Sequence, residues 1–339
     1  MVAWLLKNGA MADALTVGLT HPGRTALHFA AAKRSESGPL MVKELLNGRA
    51  NPATQTKQGG NTPLHYAVDG RSVETVKALL EKGADSNVAS SSGITPLHKA
   101  AAVTGLEEMV EAMIQGGAAP NQKTGVGAVS AARGLANLKA SRDLWQTYYS
   151  VNNAQTALHI ATKAKDAERT MEALLKHGGD ANCQDSAGRT PLHVALVKMD
   201  PEAAVKLLID SGTNVNSKDV DGKTPLLVLL TAVKLQEENQ PQALPDFTQS
   251  SRERVLDLLL SSGADPSAEA KDKQSPLGFA TQAQLQWAVD KLKQPLMENG
   301  DSKDAESAES PKDSAETESS KKGFLGTQAS RWLPKRPKK

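Results

Sequence analysis

Five of the seven histidines stand at one fixed place: His28, His65, His98, His159 and His193 each follow a threonine by three residues. Histidine is the side chain suited to metal ligation and to proton transfer near neutral pH, so this set is the first place to look for catalysis. The His-Glu-x-x-His spacing of a zinc protease is absent. Thr-x-x-His instead brings the ring back to a threonine that opens a helix, where it can bond the capping hydroxyl or nearby backbone. His21 falls in a turn, and His177 precedes a helix-terminal glycine, where a cation suits the dipole. Gly222-Lys223-Thr224 ends like a phosphate-binding loop, but Ser217 stands where that loop needs its first glycine. Gly125-Val126-Gly127 is a fragment of a dinucleotide fingerprint with no strand before it. Cys183 is the single cysteine, so neither an internal disulfide nor a CxxC site can form. No catalytic residue, cofactor or metal site is expected.

The histidines belong to a larger periodicity. Thr25-Ala26-Leu27-His28 returns at Thr62, Thr95, Thr156 and Thr190, and in degraded form as Thr224-Pro225-Leu226-Leu227 and Ser275-Pro276-Leu277-Gly278. The steps are 37, 33, 61, 34, 34 and 51 residues, and the step of 61 reads as two units, one badly worn. A second signature follows each copy: Val76, Leu79-Leu80, Gly83, then Val110, Met113-Ile114, Gly117, with equivalents at Met171, Val205 and Leu256. That spacing is one face of a helix, closed by a C-cap glycine. Each unit therefore reads as two short antiparallel helices and a projecting turn. Stacking on neighbours must supply the burial that one unit lacks.

On these motifs the chain resembles the ankyrin-repeat family, over roughly residues 1–297. The resemblance implies an all-α solenoid of stacked helix-turn-helix units with projecting β-turn fingers. It also implies a non-catalytic scaffold or adaptor that binds another protein on a concave face, with no small-molecule substrate. Carried over position by position, the turns offer Asn61, Ile94, Ser186, Arg189, Asp221 and Lys223 to a partner. The first helices offer Asp69, Val103, Lys163, Val197 and Lys198. The basic run Lys163, Arg189, Lys198 and Lys223 points to an acidic or mixed partner surface; a plain solvated rim is the competing reading.

About eight units are expected from Thr25, after an N-terminal half unit in which Val2, Leu5-Leu6 and Gly9 repeat the second-helix signature. A shortened reading frame and a short cap both explain that half unit. The worn unit is placed at residues 128–150; Trp145, Tyr148 and Tyr149 there fit either a partner hot spot or large side chains mending a poor core. An insertion at residues 234–251, rich in Gln, Ser and Pro, reads as a flexible surface loop.

Residues 298–320 are acidic and Ser-rich with little apolar content, and read as a disordered linker. Residues 321–339 hold seven cations and no acid. Lys335, Arg336, Lys338 and Lys339 have the clustering of a nuclear import signal. A solubilising tail and an anionic-membrane contact are the alternatives. Ser310 before Pro311 is a candidate phosphosite. Net charge is +2, so no global field draws nucleic acid or membrane, and only the basic tail offers a membrane contact. The expected location is intracellular, cytoplasmic or nuclear. Two other readings stay open: the C-terminal fragment of a larger signalling or defence protein whose effector domain lies upstream, and a nuclear regulator that uses the basic tail.

Overall fold

The computed structural model describes residues 2–16, 23–125, 154–164, 166–197, 201–239 and 249–293. Chain contacts separate Met1–Leu296 from Met297–Lys339, and the described residues all belong to the first of these. The described residues are helical with turns between, without a strand.

Apart from the Thr224 unit, each unit begins on an extended Thr or Ser that caps a first helix of five to eight residues, such as Pro63–Gly70, Pro96–Ala101 and Pro191–Ala195. Proline fits there because the first helical amide has no intrahelical partner to lose. Helices this short do not hold their shape alone in water. Burial holds them instead: Leu27, Leu64, Leu97, Leu158, Leu192 and Leu226 are all inside. The second helices, for example Val73–Glu81, Glu107–Gln115, Glu168–Lys176 and Glu202–Asp210, bury the apolar face that the signature marks. Their exit residue has positive φ, from 80° at Gly212 to 93° at Gly117. Arg49 takes that place in the Thr25 unit at 65°, a conformation that costs an L side chain more than glycine.

First helices pack on first helices and second helices on second helices along the chain. The helix Pro96–Ala101 touches Ala157–Ala161 directly, and Glu107–Gln115 touches Glu168–Lys176. The Thr95 and Thr156 units therefore touch each other directly. The expected worn unit at residues 128–150 lies outside the described residues. Among the described residues the array runs through seven units from Thr25.

The expected loop at 234–251 is also shorter than its sequence suggested. The first helix of the Thr224 unit continues over Pro225–Asn239, and the second starts at Gln249. Lys234, Leu235 and Glu237 are good helix formers with no proline before Pro241, and Glu237 pairs with Arg252 across the hairpin at 3.3 Å. The N-terminal half unit is a helix, Val2–Lys7, packed on Ser37–Asn47. Its Leu5 is 44% exposed, whereas Leu79, Met113, Leu174 and Leu208 at the same place in later units are fully buried.

Candidate partner-binding face

The five repeat histidines share one arrangement. Each Nδ1 accepts the threonine amide at 3.0–3.3 Å and lies 2.8–2.9 Å from its hydroxyl. With Nδ1 accepting, the proton sits on Nε2. That nitrogen donates to the carbonyl just before the next unit's threonine: Asn61, Ile94, Gln155, Arg189 and Lys223, at 2.8–3.2 Å. The ring thus caps its own helix and staples the next unit. Burial pushes His65, His98, His159 and His193 down to about 4 and lowers His28 as well. A charged ring would lose the acceptor on Nδ1, so the neutral form is built in. These histidines are fully used by the fold, and among the described residues no cluster of His, Cys, Asp and Glu could hold a metal ion.

A second link was not foreseen in the sequence. Asn87, Asn121, Asn182 and Asn216 lie four residues after the C-cap glycine. Each donates Nδ2 to the C-cap glycine carbonyl of the next unit, Gly117, Gly178, Gly212 and Gly263, at 2.8–3.2 Å. Each Oδ1 accepts an amide two residues further on, from Ala119, Asp180, Asn214 and Asp265, at 2.7–2.8 Å. The rung from Asn121 reaches Gly178 and Asp180, across the segment 126–153, which again makes the two flanking units neighbours. A recurring Gly-x-x-x-Asn was the available signal.

With threonine, leucine, histidine and asparagine committed to the stack, the variable positions beside them form the candidate face. Before each capping residue stand Arg24, Asn61, Ile94, Gln155, Arg189, Lys223 and Gln274. After each histidine, or its replacement, stand Phe29, Tyr66, Lys99, Ile160, Val194, Val228 and Phe279. Tyr66, Gln155, Arg189, Val194 and Val228 are buried; the other positions of the two rows reach the surface and vary in chemistry along the array.

The proposed partner residues divide on this frame. Asp69, Ser186 and Asp221 are exposed, and Asn61, Ile94, Val103, Lys163 and Lys223 are half-buried. Arg189 and Val197 are corrections, since both are buried. Arg189 gives Nε and Nη2 to Asp185 Oδ2 at 3.1 and 2.8 Å, and its amide bonds Asp185 Oδ1. Its charge is spent inside the finger, and Asp185 four residues earlier was the missed sign. Val197 packs away from solvent at the end of its helix. Lys163 bonds Gln155 Oε1 at 2.9 Å, and burial followed by the nearby Arg189 lowers it to about 8. Lys198, Ser310, Lys335, Arg336, Lys338 and Lys339 lie outside the described residues.

Arg24, Phe29, Tyr66 and Lys99, none of them carried over from the sequence motif, make the densest grouping on the face. The Arg24 guanidinium lies 4.8 Å from the Tyr66 ring centre and 5.8 Å from that of Phe29. Lys99 lies 5.9 Å from the Tyr66 centre and pairs with Asp69 at 2.7 Å. The sequence signal existed: these residues occupy the two variable rows at Thr25, Thr62 and Thr95.

No helix among the described residues is long and apolar enough to cross a membrane. The family pattern "Ankyrin repeats (3 copies)" matches residues 34–124 and 129–219. The chain is 33% identical over 199 residues to the human Ankyrin repeat and SOCS box protein 16, covering 54% of this chain and 42% of that protein. It is 33% identical over 104 residues to the E3 ubiquitin-protein ligase KEG of Arabidopsis thaliana, covering 30% of this chain and 6% of that protein. The chain thus spans less than half the length of these relatives. The ankyrin repeat domain of Bcl-3 superposes with a TM-score of 0.57 at 22% identity, over 80% of this chain and 99% of that one. Stapled helical hairpins in register, and a family pattern over more than half the residues, lead to one conclusion: this chain belongs to the ankyrin-repeat family.

Proposed function

We propose that the chain is a non-catalytic scaffold or adaptor that binds another protein along the face made by the fingers and first helices. The observation that carries this reading is the division of labour within each unit. Thr, Leu, His and Asn build one repeating backbone, and the part of the adjoining rows that reaches solvent varies along it, from Phe29 and Ile94 to Lys99 and Lys223. A surface of that kind specifies one partner by its sequence of side chains, with stiffness supplied beneath it; preorganised surfaces of this sort lose little entropy on binding. Ankyrin-repeat proteins are, as a family, protein-interaction modules, and this chain carries the same architecture.

The test is affinity capture with mass spectrometry on the full chain and two folded variants. One carries Val103→Glu, Asp221→Lys and Lys223→Glu on the proposed face. The other carries Lys77→Glu and Lys206→Glu on the second helices, where both lysines are exposed. Proteins lost from the first variant and kept by the second support the reading. Proteins lost only from the second move the binding surface to the other side of the stack.

A further inference from the structure

The grouping at Arg24 has features that the rest of the face lacks. Phe29 is 42% exposed, a large apolar ring left open among polar neighbours. The Arg24 guanidinium rests on Tyr66, and no carboxylate pairs with it among the described residues. Of the other cations in the grouping, Lys99 pairs with the Asp69 carboxylate at 2.7 Å, and Arg34 gives its Nε to the Asp69 carbonyl at 2.9 Å.

Each contact fixes the direction of what remains. A guanidinium lying near a ring keeps its in-plane N–H fork at the edge, the geometry that meets a carboxylate with two parallel bonds. Packing against the ring holds that fork in place before a ligand arrives, so less rotamer freedom is lost on binding. Tyr66 is buried beneath Arg24, with Lys99 alongside, and His28 meets its ring edge-on at 5.4 Å. Tyr66 therefore gives no open platform on which a nucleic-acid base could stack. Phe29 does offer an open apolar surface beside the fork.

We propose that this patch receives an acidic peptide segment of the partner protein, with a carboxylate paired to Arg24 and a neighbouring apolar side chain covering Phe29. This inference rests on the protein-binding reading above and names the chemistry of the partner. The three contributing units, at Thr25, Thr62 and Thr95, are consecutive in the stack. An extended segment lying along them meets Phe29, Arg24 and Lys99 in turn.

The experiment selects displayed random peptides on the full chain and then measures the winners by fluorescence anisotropy. Winning peptides should carry Asp or Glu beside an apolar residue. Arg24→Gln should lower their affinity about tenfold, the scale of a lost charge-assisted fork. Arg24→Lys, which keeps the charge and loses the fork, should fall between, and Lys77→Gln should change nothing. Circular dichroism and thermal melting of each variant separate lost binding from lost folding. Winners without acids, winners indifferent to Arg24→Gln, or a thymidine oligomer binding more tightly than any winner overturns the proposal. If such winners still fail on the Val103, Asp221 and Lys223 variant, the protein-binding reading stands and only the acidic-segment inference falls. Absence of any peptide or captured protein sensitive to substitutions on this face overturns both.

Discussion

The inner joints of the stack and its outer joints are built from the same motif and held together differently. Between the Thr62 and Thr95 units, and at each joint from there to Thr224, a histidine staple and an asparagine rung both cross. At the joint between Thr25 and Thr62 the staple from His28 remains, but Ala53 stands where the rung needs asparagine. Ala53 takes the usual backbone position, its amide on Asn51 Oδ1 at 2.9 Å, and has no side chain to reach across. At the joint between Thr224 and Ser275 the staple is gone, because Leu227 replaces histidine; the fingers still meet through the Lys271 amide and the Asp221 carbonyl at 2.9 Å. Repeat lettering therefore does not measure the strength of a joint. Staples and rungs together concentrate in the middle of the array. The Arg24 patch spans the joint that lacks a rung, where Arg24, Phe29 and Tyr66 form their own bridge between units.

Acid should expose this difference most strongly. An unfolded imidazole takes its proton near 6.5, and the folded rings of His65, His98, His159 and His193 do so only at about 4. Between those values the unfolded chain binds more protons. Stability falls as pH drops from 6.5 towards 4 and levels off below. Each of the four rings should contribute a loss on the order of 1–2 kcal/mol at pH 5, and more than that together. Hydrogen exchange at pH 7 and pH 5 checks the pattern. Protection should fall most in the stapled helices Pro63–Gly70 to Pro191–Ala195 and least in Pro276–Gln282, which has no staple on either side. An equal loss everywhere would break the comparison.

Removing one inner rung should cost less. Asn182→Ala strips Gly212 and Asn214 of their partners, and about 2 kcal/mol should be lost in urea unfolding, the usual cost of two polar groups left to weaker solvation. The smallest effect runs the other way. Ala53→Asn should restore the missing rung to the outer joint and add about 1 kcal/mol, with Ala53→Ser as the control that cannot reach. A gain equal for both variants would mean that helix-end chemistry, not the rung, was responsible.

Much of this frame was legible in the residues. Thr-x-Leu-His and the apolar triplet with its glycine located the helices and their register, because each is a local chemical requirement repeated at fixed distance. What escaped were features that depend on which unit meets which. The neighbours across residues 126–153 are decided by packing, and a step of 61 residues contains no information about it. Arg189 looked like a surface cation because its count along the motif put it on the rim, while Asp185 folded it inward. The asparagine rungs recur as Gly-x-x-x-Asn, but a polar residue in a turn is common, so the repeat was less conspicuous than that of the histidines. Arg24 and Phe29 were on the page in the same register as Asn61 and Lys99, and only their mutual approach across units separates them from ordinary surface residues.

The place where Thr95 meets Thr156 has a consequence for how such a chain can change. Thr124 and Gln155 clasp each other both ways, with the Thr124 amide on the Gln155 carbonyl at 2.9 Å and the Gln155 amide on the Thr124 hydroxyl at 3.0 Å; the Ala154 amide closes onto the Thr124 carbonyl at 3.1 Å. These bonds hold residues 124 and 154 side by side as one pinned doorway. The closure entropy between two points held together changes only logarithmically with the length of chain that joins them. That doorway is thus a natural cassette port: new sequence can be spliced in or trimmed away there while the hairpins on both sides keep their seating.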